Sequence, residues 1–176
     1  MKTNLILKRA ALLAITGVMA AFTLTTHAQN RLITSGTITE TGSTYISIAT
    51  QAALQITGST TYYTGTNITA TGTANTTSNG RSAICILDGA SASLTGGTFA
   101  TTGTGGSAIA IYVFNYSKLN LRDADISTVG TNAHGIDSRN ESNVTLSGNI
   151  NITNDGPGAG GLLVRGTSSI TNRVHA

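Results

Sequence analysis

The chain has 176 residues, 39% of them hydrophobic and only 10% charged, with 21 glycines, one proline and one cysteine. That length suits one domain, and so little charge excludes the usual disordered chain, whose signature is low hydrophobicity with high net charge. The formal charge of +3 does not argue for nucleic acid, because it resides entirely in the first nine residues.

Those residues open a recognisable leader. Lys2, Lys8 and Arg9 give a basic start, Ala10 to Leu24 is apolar except for Thr16, Gly17 and Thr23, and "THA" at 26–28 offers a small-residue cleavage site. This is the layout of a secretory signal peptide over residues 1–28, and the apolar run is short for a membrane span. The expected organisation is a signal-peptide helix over 1–28 and one exported domain over 29–176. Beyond Ala28, Arg31, Arg81, Lys118, Arg122, Arg139, Arg165 and Arg173 balance Glu40, Asp88, Asp123, Asp125, Asp137, Glu141 and Asp155. The exported part is therefore neutral, with no basic patch for nucleic acid or an anionic membrane. Cys85, alone in the chain, can form no intramolecular disulfide. Within "AICIL" it reads as a small buried hydrophobe.

The exported part is built from repeats. Gly, Thr, Asn and Ser are weak helix formers, whereas Thr and Ile favour strands and Gly and Asn favour the turns between them. A pentad of one apolar residue, three mostly polar ones and a glycine starts at Ile38, Ile68, Phe99, Ile126 and Ile152, with glycines at Gly42, Gly72, Gly103, Gly130 and Gly156. A second aliphatic follows at Ile48, Ile84, Ile109, Ile136 and Leu162, the second copy carrying an extra polar stretch, "TANTTSNG". A third precedes the later pentads at Leu94, Leu121 and Leu146, with Ile56 as the earlier counterpart. Period-two alternation in "NVTLSGNINIT" argues for strands, and a period near 26–31 residues argues for a solenoid. The prediction is an all-β parallel β-helix of about five coils. Pentad apolar residues would stack inside it, and pentad glycines would supply a backbone conformation of positive φ.

The C-terminal end carries a further expectation. Ile170 in "SSIT" is read as the counterpart of Leu94, Leu121 and Leu146, and the sequence stops at "NRVHA" before another pentad. The solenoid should therefore end inside a coil, truncated, with no polar cap on its last rung, and such ends are normally protected.

A signal peptide followed by cysteine-poor, Gly/Thr/Asn-rich repeats such as "NVTLSGNINITNDGPGAGGLLV" resembles the passenger region of bacterial autotransporters, the type V secreted surface proteins. The resemblance covers about residues 30–172. It implies a right-handed, pectin-lyase-type β-helix, export across the inner membrane and display at the outer surface, with many members acting in adhesion, aggregation or biofilm formation. The family also carries a C-terminal outer-membrane barrel, which this sequence does not include. The localisation expected is the cell surface or outer membrane when joined to such a barrel, and otherwise the periplasm or the medium.

Related folds include pectate lyases and polygalacturonases, which makes catalytic patterns relevant. "AHGID" at 133–137 gives His134, Gly135 and Asp137, but it occupies a repeat position where other coils have "SAI" or "GGL", and general acid–base work needs a positioned partner. Asp123 and Asp125 in "DAD" would share one face of a strand, yet a calcium site wants more oxygen ligands. Hydrolase elbow, zincin and P-loop signatures do not occur. Thr-x-Thr pairs at 37–39, 64–66, 69–71, 71–73 and 102–104 do not recur once per coil as an ice-binding array would. Sequons at Asn67, Asn75, Asn115, Asn140, Asn143 and Asn151 follow from composition. In "AIAIYVFNYSKLNL", 108–121, alternation places Tyr112, Phe114 and Tyr116 on the outward face, where aromatic rings suit carbohydrate or protein contact. The expectation is a non-enzymatic adhesin-like passenger or stalk with no catalytic, cofactor or metal residues, whose partners are host-surface or cell-surface proteins or carbohydrates. The alternatives are a polysaccharide-acting enzyme and a non-functional remnant.

Overall fold

A computed structural model describes residues 30–47, 51–73, 82–103 and 108–173. The leader 1–28, Ile48, the polar stretch 74–80 with its sequon at Asn75, Thr104 and the last three residues lie outside the described residues. The strands are β1 (Arg31–Ile33), β2 (Gly36–Thr41), β3 (Thr44–Ile46), β4 (Leu54–Thr57), β5 (Thr61–Gly72), β6 (Ile84–Leu87), β7 (Ser91–Thr101), β8 (Ile109–Phe114), β9 (Lys118–Val129), β10 (His134–Arg139), β11 (Asn143–Asp155), β12 (Gly160–Arg165) and β13 (Ser169–Arg173). Short strands build one sheet in the order β1-β4-β6-β8-β10-β12, and long ones build a second in the order β2-β5-β7-β9-β11-β13, with β3 also on β5. Every pairing is parallel. The domain is a parallel β-solenoid of about five coils, all-β among the described residues.

The interior is a set of residue columns, one member per coil, because in-register parallel strands bring equivalent positions directly over one another. Leu94, Leu121 and Leu146 stack as expected. So do Phe99, Ile126 and Ile152, above Ala70. Other assignments shift. Ile38 pairs with Tyr63 and Ile68 with Gly97, so the first two pentads stand in different columns from the last three. In the first sheet Ile84, Ile136 and Leu162 align with Ile111 rather than Ile109. Ile109 packs instead in a separate cluster with Cys85, Leu87 and Tyr112. Ile56 belongs to the first sheet, and Gly65 fills its supposed place in the leucine column. A Cβ on Gly65 would lie 2.7–2.8 Å from Ile68, Leu94 and Tyr63, so no larger residue fits there.

The pentad glycines also divide. Gly130 and Gly156 (φ 118 and 144) turn the chain at the end of the long strands. Gly72 is the last residue of β5, paired with Thr101. Gly42 stands at a different corner, the bend in the middle of the second sheet. There Gly42, Asn67, Gly96, Asp123 and Gly148 all take the left-handed conformation, with φ between 51 and 68. Asx residues tolerate this region because their short polar side chains bond locally, and glycine has no Cβ to clash. The alternation has a steric cause. The side chain of Asn67 leans over Gly96 and that of Asp123 over Gly148, so a Cβ on either glycine would overlap the carboxamide or carboxylate oxygen.

A third device sits at the turn from the short strand to the long one. The Ser117 N–H donates to Ser142 Oγ (3.2 Å), and the Ser142 N–H donates to Ser168 Oγ (3.0 Å). Ser117 Oγ donates in turn to Phe114 O at 2.7 Å. These hydroxyls, buried at Ser117 and Ser142 and half-buried at Ser168, satisfy backbone groups that the turn leaves without a ladder partner.

The two ends differ. At the first coil Arg31 and Glu40 hold the positions that Leu54 and Leu94 hold further on, Gly65 intervening in the second column. Arg31 pairs with Glu40, whose carboxylate also accepts from the Tyr45 hydroxyl and, at 2.9 Å, from Tyr63. Burial holds the Tyr63 phenol far above its ordinary pKa. At the other end Leu162 and Val164 are 47% and 44% exposed. Ile170 aligns with Val144, not with Leu146, so the expected counterpart is displaced by two residues. Asn172 takes the leucine column instead.

Candidate functional site

The most extended chemical surface is the outer face of the second sheet, formed by the first halves of its long strands. Strand alternation turns Ile38, Leu94, Leu121 and Leu146 inward and their neighbours outward. Three outward rows run along the solenoid. The first is Thr37, Tyr62, Ser91, Lys118, Asn143 and Ser169. The second is Thr39, Thr64, Ser93, Asn120, Thr145 and Thr171. The third is Thr41, Thr66, Thr95, Arg122 and Ser147. All are exposed or half-exposed. Hydroxyls and amides dominate, two cations lie together on β9, and none of these positions holds an acid. Members of a row are spaced by the inter-strand distance, about 4.8 Å, and rows by two residues, about 6.6 Å. A shallow depression of about 280 Å³ is lined by Ser93, Thr95, Asn120, Arg122, Thr145 and Ser147, with Leu94 and Leu121 beneath.

Two tyrosines border this face. Tyr62 is 54% exposed in the same row as Lys118, and Tyr116, 59% exposed, stands at the turn just before it. Tyr116 has a left-handed backbone (φ 61), and its hydroxyl donates to Glu141 Oε1 at 3.1 Å. That hydrogen bond to a carboxylate pushes its pKa upward. Arg122 Nε donates to Asp123 Oδ2 at 2.9 Å, and Asp123 Oδ1 accepts the Asn149 N–H at 2.8 Å. Mainly through the Asn149 contact, and then through Arg122, the Asp123 carboxyl is held below its ordinary range.

The residues singled out in the sequence are dispersed. Tyr112 does point away from the main core, but it is buried (4% exposed), with Phe114 stacked on it at 5.6 Å and the Arg139 guanidinium 5.4 Å over its ring. Of the three aromatics Tyr116 is exposed and Phe114 half-buried. Alternation gives a side chain's direction and says nothing of what covers it. Asp137 is fully buried, both carboxylate oxygens accepting Arg139 Nε at 2.9 Å. His134 lies three residues earlier on β10, half-buried, its Nδ1 without a hydrogen-bond partner. Asp123 stands on the left-handed corner, where simple alternation fails, while Asp125 accepts from Asn151 Nδ2 at 3.4 Å. Among the described residues no three His, Cys, Asp or Glu side chains gather as a metal site would require. Cys85 is fully buried, and burial pushes its thiol up to about 12. The Thr-x-Thr pairs at 37–39 and 64–66 share the outer face one position out of step, Thr39 meeting Thr64, and the fourth coil has Asn120 and Arg122 instead.

Tyr62 escaped the sequence reading. Placing it required the register Tyr62–Ser91–Lys118, which the offset second pentad obscures. Comparison with known protein families, with characterised proteins and with solved structures finds no match to this chain.

Proposed function

We propose that this chain is an exported, non-enzymatic surface-attachment module, similar in kind to an autotransporter passenger, which uses the outer face of its second sheet to hold a cell-surface partner. The observation that carries the reading is that face: extended, rich in hydroxyls and amides, with no acid at its outward row positions, and bordered by exposed tyrosines. An extended array of fixed donors and acceptors with amphipathic rings suits an extended polar partner better than a small molecule, which needs a concave, largely apolar pocket. Export rests on the leader at 1–28, and right-handed, pectin-lyase-type winding on the resemblance to autotransporter passengers. A polysaccharide-cleaving enzyme is the second reading, and His134, with its unpartnered Nδ1, is the observation in its favour.

The test is retention. Beads carrying the secreted protein should hold cells or extracellular matrix more strongly than bare beads, with no shortening of matrix polysaccharide over the incubation. Retention no better than bare beads would refute the attachment reading, and polysaccharide cleavage lost in His134→Ala would establish the enzyme.

A further inference from the structure

Resting on that attachment reading, we infer that the partner is an acidic polysaccharide, held with its anionic groups at Lys118 and Arg122 and its sugar rings against Tyr62 and Tyr116. The two cations are residues i and i+4 of β9, both outward and exposed, and therefore about 13 Å apart along the strand. Asn120 lies between them on the same face. The adjoining coils present Ser93 and Thr95 on one side and Thr145 and Ser147 on the other, the lining of the shallow depression. Cations meet charged groups and the hydroxyls and amide meet sugar hydroxyls, so both parts of such a ligand find partners.

Asp123 holds the Arg122 guanidinium by its Nε edge at 2.9 Å. The Nη edge then meets a carboxylate or sulfate in the paired geometry that arginine favours. Tyr62 and Tyr116 supply what separates a sugar from a simple anion: an exposed apolar ring face with a polar tip. Both stand beside the cations, Tyr62 two coils away in the Lys118 row and Tyr116 two residues before Lys118.

Other polyanions fit less well. A nucleic acid duplex carries one charge per about 1.7 Å of axis, and the described side chains of this face offer two cations. An anionic membrane wants an apolar face beside its cations, whereas these rows are almost wholly hydroxyl and amide.

The test uses the secreted protein and four polymers: dextran, dextran sulfate, alginate and duplex DNA. Dextran sulfate and alginate should bind, dextran should not, and affinity should fall as salt rises. The double variant Lys118→Gln/Arg122→Gln should bind about tenfold more weakly or worse, and Tyr62→Ala should weaken binding too, while Arg165→Gln on the other sheet changes nothing. Carboxyl-reduced alginate gives the same test without altering the protein, and should not bind. Preference for one of the two acidic polymers identifies sulfate or carboxylate as the group read. Equal binding of dextran, binding of DNA alone, undiminished binding of reduced alginate or no binding of any polymer would overturn the inference. Bead retention would then still stand, whereas shortening of a polymer would strike the non-enzymatic reading instead.

Discussion

Gly96 and Gly97 are neighbours at the mid-sheet corner, both with positive φ (68 and 102), yet alanine at the two positions should behave differently. At Gly96 the new methyl meets the side-chain oxygen of Asn67, which can swing away. The cost is the left-handed conformation, about 1–2 kcal/mol, plus a displaced rotamer, about 0.5–1.5 kcal/mol: roughly 2–3 kcal/mol together. At Gly97 the methyl meets the backbone of Ile68, overlapping its carbonyl oxygen and lying 2.9 Å from its nitrogen. Backbone cannot swing away, so β5 and β7 must part at a rung where Ile68 is fully buried. Conformational strain of about 1–3 kcal/mol is joined by a lost ladder bond and disturbed packing, making about 4 kcal/mol or more. Against a domain stability of about 5–15 kcal/mol, the first variant survives and the second approaches unfolding. Asn67→Gly should recover about 1 kcal/mol for Gly96→Ala and nothing for Gly97→Ala. Urea titrations followed by far-ultraviolet circular dichroism measure this, compared by midpoint where slopes agree. Equal midpoints for the two alanine variants, or rescue of Gly97→Ala by Asn67→Gly, would refute the steric account.

Three further outcomes follow from the same geometry. In the native protein at pH 8 Cys85 should resist a thiol reagent, reacting only as fast as the chain unfolds; its folded pKa, about 12 against 9.0 unperturbed, makes stability fall by about 1.4 kcal/mol per pH unit between those values, since the unfolded thiol ionises first. Glu40→Ala removes the carboxylate shared by Arg31, Tyr45 and Tyr63, leaving Arg31 its 3.3 Å bond to the Tyr45 hydroxyl, and should lower thermal stability well beyond Tyr63→Phe, which removes one bond of about 1–2 kcal/mol. Asp123 should titrate below the ordinary carboxylate value in a carbon-detected NMR experiment, so that its contribution to stability is complete above that value and lost as pH falls through the lowered one; Arg122→Gln should raise it only partly, because the Asn149 N–H is the larger cause, and an ordinary value in the native protein would contradict the corner geometry.

Period and composition carried the architecture into view, and the leucine column and the buried Cys85 were legible residue by residue. Register was not. The mid-sheet corner accepts Gly, Asn or Asp alike, so a pattern keyed on glycine grouped Gly42 with Gly130 and passed over Asn67 and Asp123. In "AIAIYVF" two isoleucines compete for one interior column, and packing chose Ile111. The candidate face was less legible still, since each strand gives only a polar alternation. What makes it a surface is the alignment of Tyr62, Ser91 and Lys118, a property of coils stacked upon one another.

The unlike ends of the solenoid have a mechanical consequence. Each coil leans only on its neighbours, so tension should detach them one at a time. Among the described coils peeling should begin at the C-terminal side, where Leu162 and Val164 are nearly half exposed, and the bonded Arg31–Glu40–Tyr45–Tyr63 knot should let go last. A coil of 26 residues, the interval from Ile126 to Ile152, pays out about 90 Å when drawn straight. If the proposed attachment holds a body against flow, that body would meet a tether that yields in measured steps before it breaks.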